Sequence, residues 1–216
     1  AVSPWRSLAE GFAYAANDPT TRIILVATAV PFFLLVPTWS TLMPLYAQDE
    51  FRVGPEGLGW MLTAIGAGAI LGGLAGPMLS RFDRLGWIQM AALAGYAFVL
   101  IMLGVSPSMM FALPFIAIAG AAEIINLTVG QTLLQVSSPD AMRGRLMGLM
   151  QMNPAIMSIG SVISGALADI AGPRGASFIA AIAAILAGLI LIVMSARLRG
   201  LRLSHYTSAA KLHPRH

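Results

Sequence analysis

The stretch MMFALPFIAIAGAAEIINLTVGQTLLQ, residues 109–135, contains a single formally charged side chain, that of Glu123. The hydrocarbon core of a bilayer is about 30 Å thick and an α-helix rises about 1.5 Å per residue, so about 20 mainly apolar residues cross it. The stretch is long enough and apolar enough to meet this requirement. It therefore predicts a transmembrane helix.

Five further segments are long and apolar in the same way, and polar or turn residues such as Gly54-Pro55 and Ser106-Pro107 separate them. None of the separating stretches is long enough for a soluble domain. The sequence thus predicts an all-α membrane protein, a bundle of six transmembrane helices. We number these helices first to sixth: residues 23–47, 58–79, 88–105, 109–135, 146–168 and 176–196.

The overall composition supports the same class. Of the 216 residues, 57% are apolar and 10% are charged, whereas soluble domains are about 45 to 50% apolar and about 25% charged. The chain has no cysteine, which excludes disulfides and thiol chemistry. A formal net charge of +4 would suggest nucleic acid in a soluble chain. Here the basic residues flank the spans, so no nucleic-acid partner is expected.

The Lys and Arg residues divide unevenly between the two sides of the predicted bundle. Of the thirteen, eleven lie on one side, whereas Arg52 and Arg174 lie on the other. By the positive-inside rule we expect a multi-pass protein of the inner cell membrane, with both termini in the cytoplasm. The larger group comprises Arg6, Arg22, Arg81, Arg84, Arg143, Arg145, Arg197, Arg199, Arg202, Lys211 and Arg215.

Three regions follow from this pattern. Residues 1–22 carry apolar side chains at helical spacing and predict a cytoplasmic amphipathic lead-in helix with a linker, in which Asp18 caps the next helix and Pro19 takes its first position. Residues 23–197 form the six-helix transmembrane bundle. Residues 198–216 form a basic cytoplasmic tail, either a disordered or surface-lying end or a segment that binds lipid or a partner.

The first transmembrane helix contains three prolines, Pro31, Pro37 and Pro44. Each removes a backbone donor and bends the helix. Freed carbonyls and hydroxyls in lipid are costly, so we expect them to face a substrate cavity or, alternatively, to form simple hydrogen bonds between helices. The candidate cavity residues are Thr38, Trp39 and Thr41.

The fourth helix carries Glu123 near its middle, and Asn126, Gly130 and Gln131 follow on one polar stripe. A carboxylate at the bilayer centre costs about 2.5 to 3.5 kcal/mol on insertion scales, and protonating a glutamic acid at pH 7 costs nearly as much, about 4 kcal/mol. A modest change in wetting would therefore switch the protonation state. We interpret Glu123, Asn126 and Gln131 as a site for proton coupling or for a polar or cationic substrate. The alternative is a packing role for Glu123.

The second helix carries Gly68, Gly72 and Gly76 at four-residue spacing. Such a ladder lets another backbone approach closely. It indicates either tight helix packing or a smooth seam along which helices slide.

The loop before the fifth helix reads Ser138-Pro139-Asp140, which is typical of a helix start with Ser138 as the hydroxyl cap. Arg143 and Arg145 follow within one turn. They are predicted to contact the phosphate plane or Asp83, either as anchors or as part of a gate.

Several of these motifs resemble those of the major facilitator superfamily. Asp83-Arg84-Leu85-Gly86 resembles the Asp-Arg-x-Gly core of its loop signature, although Leu79 replaces a glycine and Trp87 replaces a basic residue. The same spacing recurs at residues 165–172. Residues 138–148 and the lead-in are similar to a bacterial exporter subgroup that includes the enterobactin exporter.

The resemblance implies two inverted three-helix repeats, which together form half of a twelve-helix transporter. The chain would then be a carboxy-terminal half whose amino-terminal six-helix half is missing, as its start at Ala1 also suggests. In this family the first and fourth helices of each half line the cavity. The implied gating loops contain Asp83, Arg84, Arg143 and Arg145.

The expected function is that of a secondary active transporter, a proton-coupled exporter of small hydrophobic or amphipathic molecules that works by alternating access. A non-transporting six-helix scaffold, paired with another half-sized chain, is the alternative. An enzyme is not expected, because the six spans contain no His, no Cys and no paired carboxylates. The expected partners are membrane lipid, the missing half and a small-molecule substrate, without a cofactor or metal.

Overall fold

A computed structural model of the protein describes residues 4–79 and 85–194. The described residues form helices joined by short turns, with no strand among them. The predicted tail at 198–216 and the loop residues Asp83 and Arg84 lie outside the described residues. The helices are α1 Pro4–Asn17, α2 Pro19–Glu50, α3 Gly54–Leu79, α4 Leu85–Val105, α5 Met109–Ser137, α6 Asp140–Met150, α7 153–171 and α8 173–194.

Gly172 separates α7 from α8, although the helical hydrogen-bond pattern runs on across it. Its φ of 72° is in the left-handed region and turns the chain back. Phe178 lies against Gly104, whereas Leu93 lies against Gly188, so α8 runs antiparallel to α4. The fifth and sixth predicted spans are therefore separate helices within one apolar stretch, and the all-α six-helix membrane bundle is confirmed.

Two ends of the bundle can be told apart by their side chains. The basic end carries Arg22, Arg143 and Arg145, and the opposite end carries Glu50 and Arg174. Helices α2, α4 and α7 run from the basic end to the opposite end. Helices α3, α5 and α8 run back.

Proline decides the local form of α2. Asp18 caps its start, because its carboxylate accepts a hydrogen bond from the Thr21 backbone N–H at 2.8 Å, and Pro19 takes the first position, as predicted. After Leu34 the helix widens into π-helical turns at Thr38–Leu42 and Tyr46–Glu50. These turns lie beside Pro37 and Pro44, which lack the N–H that regular α-helical bonding needs.

The start of the predicted fifth span differs from the prediction. Pro139 is the N-cap of α6 and makes no side-chain cap hydrogen bond, so Ser138 does not cap the helix. This helix ends at Met150, and α7 begins at Asn153. Pro154 explains the break, because proline disfavours helical backbone at the preceding residue and donates no hydrogen bond to the turn before it.

The pairing of the spans follows an inverted pattern. Gly68 and Gly72 of α3 pack on the backbone of α5 at Ala117 and Ala121, and Gly160 of α7 packs on the Phe33 carbonyl of α2. The second helix of each triplet thus packs on the first helix of the other triplet, as expected for two inverted three-helix repeats. The glycine ladder of α3 is a close-packed seam between helices.

Candidate functional site

The π-helical turn of α2 divides the predicted cavity residues into two sets. Thr38 and Trp39 point into the bundle and are 0% and 6% exposed. Thr41 is half-buried and faces Gly165 of α7. Of the three, Thr38 and Trp39 therefore belong to the buried interior of the bundle.

The residues of the predicted polar stripe on α5 also differ in how deeply they are buried. Glu123 is half-buried, whereas Asn126 is 2% exposed and Gly130 is buried. A side chain at Gly130 would collide with the Thr28 hydroxyl of α2, so glycine lets the two helices approach there. Gln131 is half-buried and makes no hydrogen bond with any described residue. The structure therefore places Gly130 of this stripe against α2 and buries Asn126 one turn before it, but it does not join Gln131 to them.

Helix α4 adds two residues that the sequence analysis missed, Gln89 and Tyr96. Tyr96 is 1% exposed, and its ring centroid lies 5.7 Å from that of Trp39. Its hydroxyl is within electrostatic range of the Glu123 carboxylate. The spacing of these two residues could have revealed them in the sequence. They lie seven residues apart, and hence on one face, in a span that is otherwise almost wholly apolar.

Gln89 and Thr28 form a buried hydrogen bond between α4 and α2. The Gln89 side-chain N–H donates to the Thr28 hydroxyl at 3.0 Å, and that hydroxyl donates to the Ile24 carbonyl at 2.9 Å. Gly130 of α5 lies against both side chains. Three helices therefore meet at this bond. We use the name polar file for Thr28, Trp39, Gln89, Tyr96, Glu123 and Asn126.

Many polar atoms in and beside the file have no hydrogen-bond partner among the described residues. A buried polar group left in this state costs about 1 to 3 kcal/mol. We therefore interpret the file as a site that can form hydrogen bonds with a polar species. The six atoms are Thr38 Oγ1, Trp39 Nε1, Gln89 Oε1, Tyr96 OH, Asn126 Oδ1 and Asn126 Nδ2.

Residues 5–215 match the family described as transmembrane secretion effectors, which is part of the major facilitator superfamily. The chain belongs to this family. The multidrug efflux pump Tap of Mycolicibacterium fortuitum is 27% identical over 198 residues, which cover 91% of this chain and 48% of the pump. The enterobactin exporter EntS of Shigella flexneri is 24% identical over 201 residues, which cover 92% of this chain and 47% of the exporter.

These matches confirm the resemblance to the superfamily and to the subgroup that includes the enterobactin exporter. The chain spans about half the length of the curated relatives that it matches. No solved structure is a significant match. Like the transporters to which it is similar, the chain is a multi-pass membrane protein.

At the basic end of the bundle, two of the predicted gating residues tie α6 to its neighbours. Arg143 forms an ion pair with Asp140 at 2.9 Å and donates to the Gln135 carbonyl of α5 at 3.0 Å. Arg145 forms an ion pair with Glu10 of α1 at 3.0 Å. Whether either contacts Asp83 stays a prediction, because Asp83 and Arg84 lie outside the described residues.

At the opposite end, Arg174 joins three helices. Its Nε forms an ion pair with Glu50 at the end of α2 at 2.5 Å, and its Nη2 donates to the Ser106 carbonyl after α4 at 3.1 Å. Beside it, the Tyr46 hydroxyl donates to Ser177 Oγ of α8 at 2.9 Å. The sequence analysis used Arg174 only to assign topology and missed this contact.

The described residues contain no group of three or more His, Cys, Asp and Glu side chains that would hold a metal ion. Among the described residues, the ion pairs Arg145–Glu10 and Arg174–Glu50 join different helices, whereas Arg6–Glu10 and Arg143–Asp140 lie within one helix.

Proposed function

We propose that this chain is the carboxy-terminal half of a secondary active exporter. The support is its family, the names of an efflux pump and an exporter about twice its length, and its two inverted helix triplets. Two six-helix halves that rock about a midplane site give alternating access. The missing amino-terminal half is the required partner, together with membrane lipid.

We further propose that the exporter is driven by protons and that Glu123 is the coupling residue. The observation that carries this proposal is its position: a half-buried carboxyl group in the middle of a span, three residues before Asn126, whose buried amide has no partner among the described residues. An intramembrane ionisable residue that faces the bundle interior is the usual mark of an ion or proton pathway. Uptake and release of one proton there would drive the two halves between their states.

The proposed cargo is a small hydrophobic or amphipathic molecule that leaves the cell. The related Tap is named a multidrug efflux pump, and EntS is named an enterobactin exporter. Contact of the cargo with Thr38, Trp39 and Thr41 of α2 stays a prediction. No cofactor or metal is required for transport of this kind.

The topology proposed here places the basic end in the cytoplasm. Its support is the division of Lys and Arg residues, eleven against two. Both termini then lie in the cytoplasm, and the protein lies in the inner membrane. The ion pair between Arg174 and Glu50 lies on the other side of that membrane.

The alternative function is that of a non-transporting six-helix subunit, and the half-length match favours it as much as it favours a fragment. The reading frame upstream of Ala1 separates the two. Six further spans in the same frame support the transporter, whereas a start codon adjacent to Ala1 supports the subunit.

The decisive experiment for coupling is Glu123→Gln in the complete transporter, reconstituted in liposomes. We expect efflux driven by a pH gradient to fall at least about tenfold, because the amide cannot release a proton. Glu56→Gln makes the same chemical change at an exposed residue at the start of α3 and is the matched control. Undiminished gradient-driven efflux in Glu123→Gln would show that coupling lies elsewhere.

A further inference from the structure

An apolar groove lies between α2 and α7 near the basic end of the bundle. Farther from that end the two helices touch, because Gly160 of α7 packs directly on the Phe33 carbonyl of α2. Nearer to that end, α6 stops at Met150 and α7 begins only at Asn153. This break in the helix borders a cavity of about 280 Å³.

Four helices line the groove, mostly with apolar side chains. Phe12 of α1, Val26 of α2 and Met152 after α6 are 55%, 45% and 37% exposed, so the groove opens to the outside of the bundle. Leu149 of α6 and Ile156 of α7 also line it. Because the apolar span of α2 starts at residue 23, the groove lies at membrane depth, and lipid can reach it from the side.

One polar group interrupts this apolar lining. Asn153 lines the groove and is 6% exposed, and its side-chain nitrogen donates to no described residue. The hydroxyl of Thr28, which also lines the groove, is already bonded to the Ile24 carbonyl and to Gln89. A buried N–H is costly unless it finds an acceptor. The Asn153 amide is therefore the donor that the groove offers to a ligand.

A cation lies beside the groove, on the side of the basic end. Arg22 is one turn before Val26 on the same face of α2, about 6 Å away along the axis. Its Nη1 donates at 3.2 Å to the carbonyl of Ala16, which is one turn after Phe12 on α1. Arg22 is exposed and forms no ion pair with another described residue. Its remaining N–H groups can bind an anion.

The other charges around α1 and the start of α2 leave this cation uncompensated. Arg6 and Arg145 both pair with Glu10. The Asp18 carboxylate accepts two hydrogen bonds from the first turn of α2. Three guanidinium groups thus face two carboxylates, and Arg22 is the one without an ion-pair partner among the described residues.

These groups follow one another in depth. Helices α2 and α7 run parallel, and Gly160 lies level with Phe33. Asn153, seven residues before Gly160, is therefore roughly level with Val26, seven residues before Phe33. Arg22 lies about 6 Å nearer to the basic end, and Ile156 lies about 4.5 Å deeper. From the surface inward, the order is a cation, a hydrogen-bond donor and an apolar groove.

We infer that this groove binds one anionic phospholipid from the membrane leaflet at the basic end. Its phosphate binds Arg22, an ester carbonyl accepts from Asn153, and an acyl chain lies along Val26 and Ile156. A phospholipid carries an anion, an acceptor and an apolar chain in this order. The bound lipid would join α1 and α2 to the break between α6 and α7. The inference requires only the membrane location of the chain, not the coupling role of Glu123.

The test measures binding of phosphatidylglycerol, with a photoreactive group on one acyl chain, to the complete protein in detergent. We expect saturable binding of one lipid and labelling at Phe12, Val26 or Ile156. Arg22→Gln is expected to weaken binding about fivefold, the effect of one basic residue at an anionic lipid. Arg52→Gln changes an exposed arginine at the opposite end and is the matched control, with binding expected to stay within about twofold of the unchanged protein.

A second variant tests the groove itself. Val26→Trp fills it from an exposed position and is expected to abolish the labelling. Val162→Trp makes the same change at an outward position of α7 that is 75% exposed and does not line the groove, so it should be labelled normally. Unfolding temperatures of the two variants check that both fold. If Val26→Trp does not fold, Arg22→Gln still decides the outcome.

Three results would overturn the inference. Equal binding of phosphatidylcholine, or full competition by inorganic phosphate, would show that the anion and the acyl chain are not recognised together. Undiminished labelling in a folded Val26→Trp would place the lipid elsewhere. Absence of labelling in the groove of the unchanged protein would mean that the amino-terminal half or the cargo occupies it. Efflux by Glu123→Gln is measured separately, so failure of the proposed function is a distinguishable result.

Discussion

Gly172 holds a backbone conformation that residues with a Cβ rarely adopt, with φ 72° and ψ 170°. This region is almost confined to glycine. No atom lies within 4 Å of the place where a Cβ would be, so space does not require glycine there. The positive φ of Gly172 requires glycine, and this conformation makes the turn from α7 to α8 possible.

Gly172→Ala is therefore expected to destabilise the complete protein by about 1 to 3 kcal/mol through backbone strain alone. The measurement is thermal unfolding in detergent. Gly144→Ala in α6 is the control, because it also has nothing within 4 Å but lies in regular helix, where alanine is favoured by up to about 1 kcal/mol. Equal unfolding temperatures for the two variants would contradict the argument.

For Trp39 and Tyr96, the residues around each side chain decide whether its polar atom has a hydrogen-bond partner. Both are polar at one atom and apolar elsewhere, and each is almost fully buried. Tyr and Trp usually find a hydrogen-bond partner when buried, yet Trp39 Nε1 and Tyr96 OH have none among the described residues. Their rings provide packing, and their polar atoms remain available for hydrogen bonds.

At the scale of the helices, close contact between α3 and α5 depends on glycine. Gly72 brings α3 within reach of the Ala121 carbonyl oxygen, which would lie 2.6 Å from an added Cβ. At Gly68 the Ala117 carbonyl is closer still. Small residues stabilise membrane helix pairs because they let backbones pack tightly without any hydrophobic driving force.

Gly68→Ala is expected to destabilise the bundle by about 1 to 3 kcal/mol, the usual cost of overpacking. Gly66→Ala, two residues away on the same helix, is the control, because nothing lies within 4 Å of its added methyl group. Folded yield and unfolding temperature of the two variants give the comparison. If Gly68→Ala and Gly66→Ala have the same folded yield and unfolding temperature, the seam is not close-packed in the membrane.

At the scale of the whole bundle, charged pairs join segments that are far apart in sequence. Arg174 contacts Glu50 and the Ser106 carbonyl and so ties α2, α4 and α8 at the opposite end. Arg145 and Glu10 tie α6 to α1 at the basic end. The Arg174 contacts join the two helix triplets, and the Arg145 ion pair joins the two short helices at the basic end.

A double-mutant cycle with Arg174→Met and Glu50→Gln measures the first of these contacts. The Arg174 and Glu50 side chains are 39% and 23% exposed, so we expect a coupling energy of only about 0.5 to 1 kcal/mol. Salt should reduce it, because solvent-exposed ion pairs are screened. Arg52→Met, an exposed arginine at the same end, should leave unfolding unchanged. A coupling energy of zero would mean that the pair does not join the helices.

The sequence alone determined that this is a six-helix membrane protein that resembles the major facilitator superfamily. The bilayer requires long apolar helices. This requirement can be read directly from the sequence, in the lengths of its apolar runs and in the positions of its charged residues. The helix cap at Asp18, the disruption of α2 beside Pro37 and Pro44, and the isolation of Glu123 were predictable for the same reason. Each depends on residues that are neighbours in the chain.

Only the tertiary structure decided which faces of the helices meet. Gln89 and Tyr96 looked like two minor polar residues in α4, and their importance depends on Thr28, Trp39 and Glu123, which lie on other helices. Helical spacing shows that two residues share a face, but the partner of that face is chosen by packing between distant segments. The polar file is therefore a property of the bundle, formed where Gly130 lets α2, α4 and α5 converge.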